Sequence, residues 1–300
     1  MATVGEALRA AIERLRASGS ATPMLDAELL IAHVLRIDRS GVLAHPEAPL
    51  SGAQEAAIAS AVDRRAAGEP VAYIRGLKEF YGLAFAVDRR VMIPRPETEL
   101  VVDLAVGWIA ARLTSAPRPA GTPPLRVADV ATGSGAVAVA LAATLRRRGF
   151  LPHVDLLASD LSEDALAVAV ENGVAHAVAD RIRFRHADLL PSNEPAFDLV
   201  LANPPYVPSG DLPDLPVAAS FEPSIALDGG PDGLGLVRRL IGLLPAALDP
   251  AGAAMIEFGA AQESALREEV AASLTGWSSA IHLDLAGLPR VLELRREPGA

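Results

Sequence analysis

Asn203-Pro204-Pro205-Tyr206 ends the apolar run "FDLVLA" on a carboxamide followed by two residues that have no backbone N–H. Prolines favour extended geometry and leave nearby carbonyls off any sheet ladder, free to accept hydrogen bonds. The tetrapeptide is therefore a stiff rack of acceptors. A planar NH2 group could give one hydrogen to the Asn203 side-chain oxygen and the other to the Pro204 carbonyl, with Tyr206 packed on the planar group. An amide nitrogen is a poor nucleophile because its lone pair is delocalised. Fixing both its hydrogens aims it at an electrophile, and near-attack positioning of this kind is worth about 7–11 kcal/mol. A plain Asn-Pro turn is the alternative, but it leaves the strand end and the aromatic at the fourth position unexplained.

Three other strand ends complete the pattern. "RVADV" runs into Ala131-Thr132-Gly133-Ser134-Gly135 and then the apolar helix "AVAVALAATL", a turn whose glycines let backbone approach a ligand and expose helix N-terminal amides. "VDLLAS" ends at Asp160, where a carboxylate can accept both hydroxyls of a ribose. "IRFRH" leads to Asp188-Leu189, suited to an amino group and one face of adenine. Each taken alone has an ordinary structural reading: a tight turn, a helix N-terminal acid, a solvated acid. Together they outline a nucleoside pocket. The glycines do not fit G-x-G-x-x-G except in its relaxed form, with Ala138 third, and no basic residue sits in the turn to hold a pyrophosphate. A nucleoside without phosphates fits better, and S-adenosylmethionine is that molecule, with Asn203 facing its sulfonium. The six histidines show no ligand spacing, and no metal is expected.

These residues need elements to hold them. From about residue 125 strands alternate with helices: strands near 126–131, 154–159, 182–186, 197–202, 252–258, 277–283 and 290–296, helices near 134–148, 162–175, 233–248 and 260–274. Alternation of this kind predicts an α/β fold, a mostly parallel seven-stranded sheet with helices on both faces and ligands at the carboxyl ends of the strands. With a pocket for S-adenosylmethionine at the strand ends, the expected fold class is Rossmann-like, as in class I S-adenosylmethionine-dependent methyltransferases. Residues 1–75 read as a small helical bundle: Val4, Leu8, Ala11, Ile12 and Leu15 share one stripe, and Leu25, Leu29, Ala32 and Leu35 a second. A third helix opens at a capping box, Ser51 to Gln54. Residues 76–93 read as a linking hairpin and 94–300 as the catalytic domain, interrupted by the proline-rich connector "TSAPRPAGTPP" at 114–124.

Composition limits the classes. Apolar residues make up 51% of the 300, which argues against disorder. There is no cysteine, hence no disulfide or thiolate metal site, and no apolar run of about 18 residues or more that would span a membrane. The N-terminus does not read as a signal peptide, and a cytoplasmic protein is expected. The formal net charge is −10, so the overall field opposes a phosphate backbone, and the one dense basic cluster, "LRRRGF" at 145–150, reads as a solvated helix end.

With these residues in view the chain resembles the HemK/PrmC family, the protein-(glutamine-N5) methyltransferases, over nearly its whole length. The stretches that carry the likeness include "GEPVAYIRGLKEFYG", "VMIPRPETELVVD", "VADVATGSGAVAVALA", "LVLANPPYVPSG", "FEPSIALDGGPDGL" and "IEFGAAQ". The resemblance implies methyl transfer from S-adenosylmethionine to the amide of the glutamine in the Gly-Gly-Gln loop of class I peptide chain release factors, with the helical domain recognising that partner. It places the family's glycine motif on Ala131–Gly135, the ribose acid on Asp160, the adenine side near Asp188-Leu189 and the substrate motif on Asn203–Tyr206. One departure is Ala131 at the first glycine position, whose methyl is accommodated if φ is negative. Arg95 and Glu97 of "PRPETE" read as structural pairing. Two rival readings are an adenine-N6 or other nucleic-acid amino-group methyltransferase, which should carry a basic docking face, and a catalytically silent binding protein. Direct nucleic-acid binding and membrane association are not expected.

Overall fold

The structure, a computed structural model, describes residues 2–115 and 121–297. Most of the proline-rich connector, 116–120, lies outside the described residues. Two compact units are present, one formed by residues up to Leu77 together with Leu215–Phe221, the other by Lys78–Asp214 and the chain from Glu222 onward.

The first unit is helical. Helix α1 (Val4–Ala17) starts at a reciprocal Thr3/Glu6 capping box, and α4 (Gly52–Ala66) starts at the Ser51/Gln54 box expected from its sequence. Between them lie α2 (Pro23–Leu35), with proline in its first turn, and the short α3 (Arg39–Ala44). A further short helix, α5 (Val71–Arg75), ends on Gly76 at φ 67°. The stripe expected along α2 holds at Ala32, which is buried, and at Leu35, which packs against the core, but fails at Leu25, which is exposed; Ala27, Leu30 and Ile31 enter the core instead, with Leu15, Val42, Ile58 and Val62. The reason is electrostatic. Asp26 and Glu28 are buried, which their polarity disguises, because Arg65 reaches Asp26 at 2.7 Å and Arg39 takes Glu28. The Ser20 and Thr22 hydroxyls also donate to Asp26.

The second unit opens with a hairpin of β1 (Leu77–Phe80) and β2 (Leu83–Ala86), whose two-residue turn, Tyr81 and Gly82, has φ of 52° and 69°. A 3-10 turn at Pro96–Thr98 leads into α6 (Glu99–Thr114). Then come β3 (Leu125–Val130), α7 (Ala136–Arg147), β4 (Val154–Asp160), α8 (Glu163–Ala175), β5 (Ile182–His186), β6 (Phe197–Ala202), α9 (Gly235–Ala247), β7 (Leu248–Glu257), α10 (Glu263–Ser273), β8 (Trp277–Leu283) and β9 (Pro289–Arg296). The strands form one seven-stranded sheet in the order β5-β4-β3-β6-β7-β9-β8, parallel from β5 to β7, with β9 antiparallel to both its neighbours. Each expected strand is present. Only β7 begins clearly earlier, at Leu248, because Leu248 still pairs with Phe197, and Asp249-Pro250-Ala251-Gly252 bulges out before pairing resumes at Ala253 with Leu199.

Side-chain alternation divides the core. Val127, Leu199, Leu201 and Met255 pack under α6 and α7, whereas Val130, Val200, Ala254 and Ile256 pack under α9 and α10. Strand order reverses between β3 and β6, so the crevice at their carboxyl ends is the place for a ligand. Among the described residues no helix is long and apolar enough to cross a membrane.

Removing one partner of a buried ion pair strands the other in low dielectric. Arg65→Met is therefore expected to cost about 3–5 kcal/mol in the helical unit, read by denaturant unfolding of the whole chain; a loss within experimental scatter would show that Asp26 is adequately held by the two hydroxyls.

Candidate active site

The loop after β3 bends back on itself through three left-handed residues, Ala131 at φ 55°, Gly133 at 54° and Gly135 at 78°. Each glycine has its own reason. A Cβ at Gly133 would meet nothing within 4 Å, so this backbone borders open space, whereas one at Gly135 would sit 3.0 Å from Ala169 on α8. Ala131 does not have the negative φ on which tolerance of its methyl was premised. The loop demands a left-handed residue there and the alanine bears the strain, of order 1–2 kcal/mol.

Asp160, at the end of β4, bridges two loops: its carboxylate accepts the Gly133 N–H at 2.8 Å and the Ser162 N–H at 2.9 Å. Burial raises its pKa, and these amides together with that of Leu161 only partly offset the rise. At the next strand end Leu189 is buried at φ 66°, its carbonyl accepting the Ser159 hydroxyl at 2.7 Å. Asp188 points its carboxylate to Arg239 at 2.7 Å on the surface.

Asn203 follows the last β6–β7 ladder pair, Ala202 with Ile256. Its Nδ2 donates to Thr98 Oγ1 at 3.0 Å. This leaves Oδ1 as the end of the amide free to accept. The chain beyond is clamped. Gln262 Nε2 donates to the Tyr206 carbonyl at 2.9 Å, Val207 N to Leu227 O at 3.0 Å and Gly229 N to Val207 O at 2.8 Å. Gly233, at φ 75°, lies so near that a Cβ there would fall 2.2 Å from the Tyr206 carbonyl oxygen. The glycines of "DGGPDGL" thus hold the Asn-Pro-Pro-Tyr backbone in place.

One cavity is bordered by Ala131, Thr132, Gly133 and Ser134, by Asp160, by Asp188 and Leu189, and by Asn203 and Pro205. Gly135, Pro204 and Tyr206 belong to the same loops but do not border it. Pro204 is buried, and burial pushes the Tyr206 hydroxyl up to about 12, with Glu257 adding to the rise and Arg290 and Arg95 opposing it. Arg95 pairs at 2.6 Å with Glu222, whose other oxygen accepts the Ile93 N–H. The structural pairing expected for Arg95 is seen. No group of three or more histidine, aspartate or glutamate side chains suited to a metal is found among the described residues.

Three polar residues of this region escaped the sequence reading. Asp129, inside β3, is fully buried and borders the cavity; burial raises its pKa to about 7, although one of its oxygens, Oδ2, accepts both the Thr132 hydroxyl at 2.5 Å and the Ala138 N–H at 3.1 Å. Thr98 is buried and also borders the cavity. Glu257, the last residue of β7, has no exposed surface, and burial likewise raises its pKa to about 7. The signal was available for two of them: a charged residue in the middle of "RVADV" and another closing "AAMIE" is costly unless it is used.

Family models match this chain twice, the PrmC N-terminal domain over residues 6–76 and the methyltransferase small domain over residues 102–217. The chain is 35% identical over 298 residues to a release factor glutamine methyltransferase of Bradyrhizobium diazoefficiens, covering 99% of this chain and 96% of that one. It is 38% identical over 297 residues to the protein of the same name from Moorella thermoacetica, covering 98% and 99%. Among solved structures, the catalytic domain of human Mettl16 in complex with an RNA hairpin matches with a TM-score of 0.52 at 15% identity, covering 83% of this chain and 82% of that one, a likeness of fold.

Two outcomes follow from the loop. Ala131→Gly is expected to stabilise the protein by about 1 kcal/mol, the left-handed penalty being larger than the entropy glycine adds to the unfolded chain; a lower melting temperature would show the alanine to be relaxed. For Asp129, the folded state holds a proton that the unfolded chain releases between pH 3.8 and about 7, so this group's contribution to stability falls as pH rises through that window. Asp129→Asn keeps an oxygen for both donors and should flatten that slope in denaturation series at several pH values, and an unchanged slope would place the titration elsewhere.

Proposed function

The chain belongs to the release factor glutamine methyltransferase family, and from that premise we propose that it transfers a methyl group from S-adenosylmethionine to the side-chain amide nitrogen of the glutamine in the Gly-Gly-Gln loop of class I peptide chain release factors. The observation that carries this reading is the Asn203 amide. Its NH2 end is committed to Thr98, its oxygen remains, and it borders the same cavity as the glycine loop, Asp160 and Leu189.

The residues present fit the donor. Asp160 spends one lone pair of each oxygen on backbone amides and keeps further acceptor sites for ribose hydroxyls. The free oxygen of Asp129 can take the donor's amino group, and buried Leu189 offers an apolar face to adenine. Asp188 contributes at the adenine edge with its carboxylate already anchored by Arg239. Arg90, an arginine on the cavity wall, is occupied by Asp88 and Glu171, which suits a ligand without phosphates. When bound, the donor supplies an electrophilic methyl on a sulfonium, which needs no metal to activate it.

The protein's own contribution is orientation. Asn203 Oδ1 accepts one hydrogen of the substrate amide and the Pro204 carbonyl, beyond the end of the ladder, accepts the other. Holding both hydrogens turns the nitrogen toward the methyl, the proton shed by the amide on methylation passes to solvent water, and such positioning is worth about 7–11 kcal/mol. Tyr206 lies in the same loop just outside the cavity lining, where Glu257, Arg290, Arg95 and Glu97 act on its hydroxyl. A release factor is a cytoplasmic partner, and the acidic net charge, −10, gives no help to a naked nucleic acid.

Incubation of the protein with S-adenosylmethionine and a release factor, followed by mass spectrometry, is expected to place one methyl on the Gly-Gly-Gln glutamine. Methyl transfer to RNA or DNA with none to the factor would replace this reading by the nucleic-acid one. Asn203→Ala should lower kcat by about 10²-fold or more while calorimetric binding of S-adenosylhomocysteine stays nearly the same; turnover within a few-fold of the native protein would show that the rack of acceptors does not hold the substrate.

A further inference from the structure

An amide side chain is useful at the centre of this site only if its oxygen, and not its NH2 group, faces the substrate. The two ends have nearly the same shape, so packing alone does not choose between them. The choice needs a neighbour that can only accept.

Thr98 is that neighbour, and its setting is unusual. It stands at the N-cap of α6, where a threonine hydroxyl ordinarily bonds the first turn, yet it makes no cap hydrogen bond and is 4% exposed. Its Oγ1 instead accepts from Asn203 Nδ2 at 3.0 Å. A hydroxyl is also a donor, however, and a threonine whose hydrogen turned toward Asn203 would invite the amide oxygen instead. Something must draw that hydrogen away.

The sheet places a carboxylate where this is needed. Leu201 and Met255 lie on the face under α6, Ala202 and Ile256 on the opposite face, and Ala202 pairs with Ile256 in register. Alternation returns the next residue of each strand, Asn203 and Glu257, to the α6 side, next to each other and to Thr98. Glu257 is wholly buried and neither of its oxygens has a hydrogen-bond partner. The Thr98 hydroxyl is near it without closing a hydrogen bond and still does most to favour its charged form, ahead of Arg290 and Arg95, while Glu97 acts against it and Tyr206 lies nearby. An unpartnered buried carboxyl is costly unless it has a use.

We propose that Glu257 and Thr98 form a polarity relay: the carboxylate takes the Thr98 hydroxyl hydrogen, Thr98 is thereby restricted to accepting from Asn203 Nδ2, and Asn203 Oδ1 is locked toward the substrate amide. Both are positioning residues acting through Asn203, and the relay rests on the methyl-transfer reading above. The ionised form of Glu257 is the one that works. Protonation makes the carboxyl a donor to Thr98, frees the threonine hydrogen for Asn203 and favours the flipped amide. Because burial holds this carboxyl near 7, kcat measured at saturating donor should fall as pH drops below about 7.

Steady-state methylation of a release factor, with S-adenosylhomocysteine binding as the control for folding, tests the relay. Thr98→Val, which keeps shape and removes the hydroxyl, should lower kcat by about 10–100-fold, the cost of a misdirected hydrogen bond in a buried site, with product binding unchanged. Thr98→Ser should restore most of the rate. Glu257→Gln removes the titrating group, and whatever rate remains should lack the acidic limb of the kcat profile. No methylation by the native protein would defeat the methyl-transfer reading itself. Native activity together with a Thr98→Val rate equal to it, or an acidic limb that persists in Glu257→Gln, would overturn the relay alone.

Discussion

The hydrogen bond from Asn203 Nδ2 to Thr98 Oγ1, 3.0 Å long, decides what the site presents to a substrate. It occupies the NH2 end of the carboxamide and leaves the oxygen free to accept. The parallel sheet contributes the location, since strand order reverses between β3 and β6 and opens a crevice there. The loops contribute rigidity: Gly233 lets the chain pass within contact of the Tyr206 carbonyl, and Gln262 ties that carbonyl down. Methyl transfer between two bound partners asks for little beyond such placement.

Several local rules are broken around this crevice, and in each case the breach is on or next to the cavity wall. Ala131 occupies a left-handed backbone, Asp129 is a carboxyl buried in the interior of a strand, and Glu257 is buried without a partner. Each lowers the stability of the fold. In the helical unit the buried carboxylate of Asp26 is paired with Arg65.

How much of this could be read from the residues depended on how local the signal was. The order of strands and helices in the second unit was legible because apolar runs and glycine turns encode it within a few neighbours, and so were the loop at 131–135, Asp160 and Asn203, each at a strand end. The Ser51/Gln54 cap was legible for the same reason. What was hidden depended on partners distant in the chain. The start of the α2 stripe was misread because Arg65 and Arg39, on other helices, allow Asp26 and Glu28 to face inward. The short helices α3 and α5 offer too few turns for a periodic pattern. Thr98 carries no signal in "PRPETE", since its role arises only when α6 lays it beside Asn203, 105 residues later. The sign of φ at Ala131 is a property of the folded loop and could be stated beforehand only as a condition.

The central claim is spatial: a methyl donor in the crevice must place its sulfur beside the Asn203 amide oxygen. A crystal structure of the protein with S-adenosylhomocysteine measures this directly. The expected result is a nucleoside seated between Asp160 and Leu189, its sulfur directed at a space bounded by Asn203 Oδ1 and the Pro204 carbonyl, with room for one methyl group and a planar amide. A nucleoside bound elsewhere, or a sulfur screened from Asn203 by intervening side chains, would contradict it.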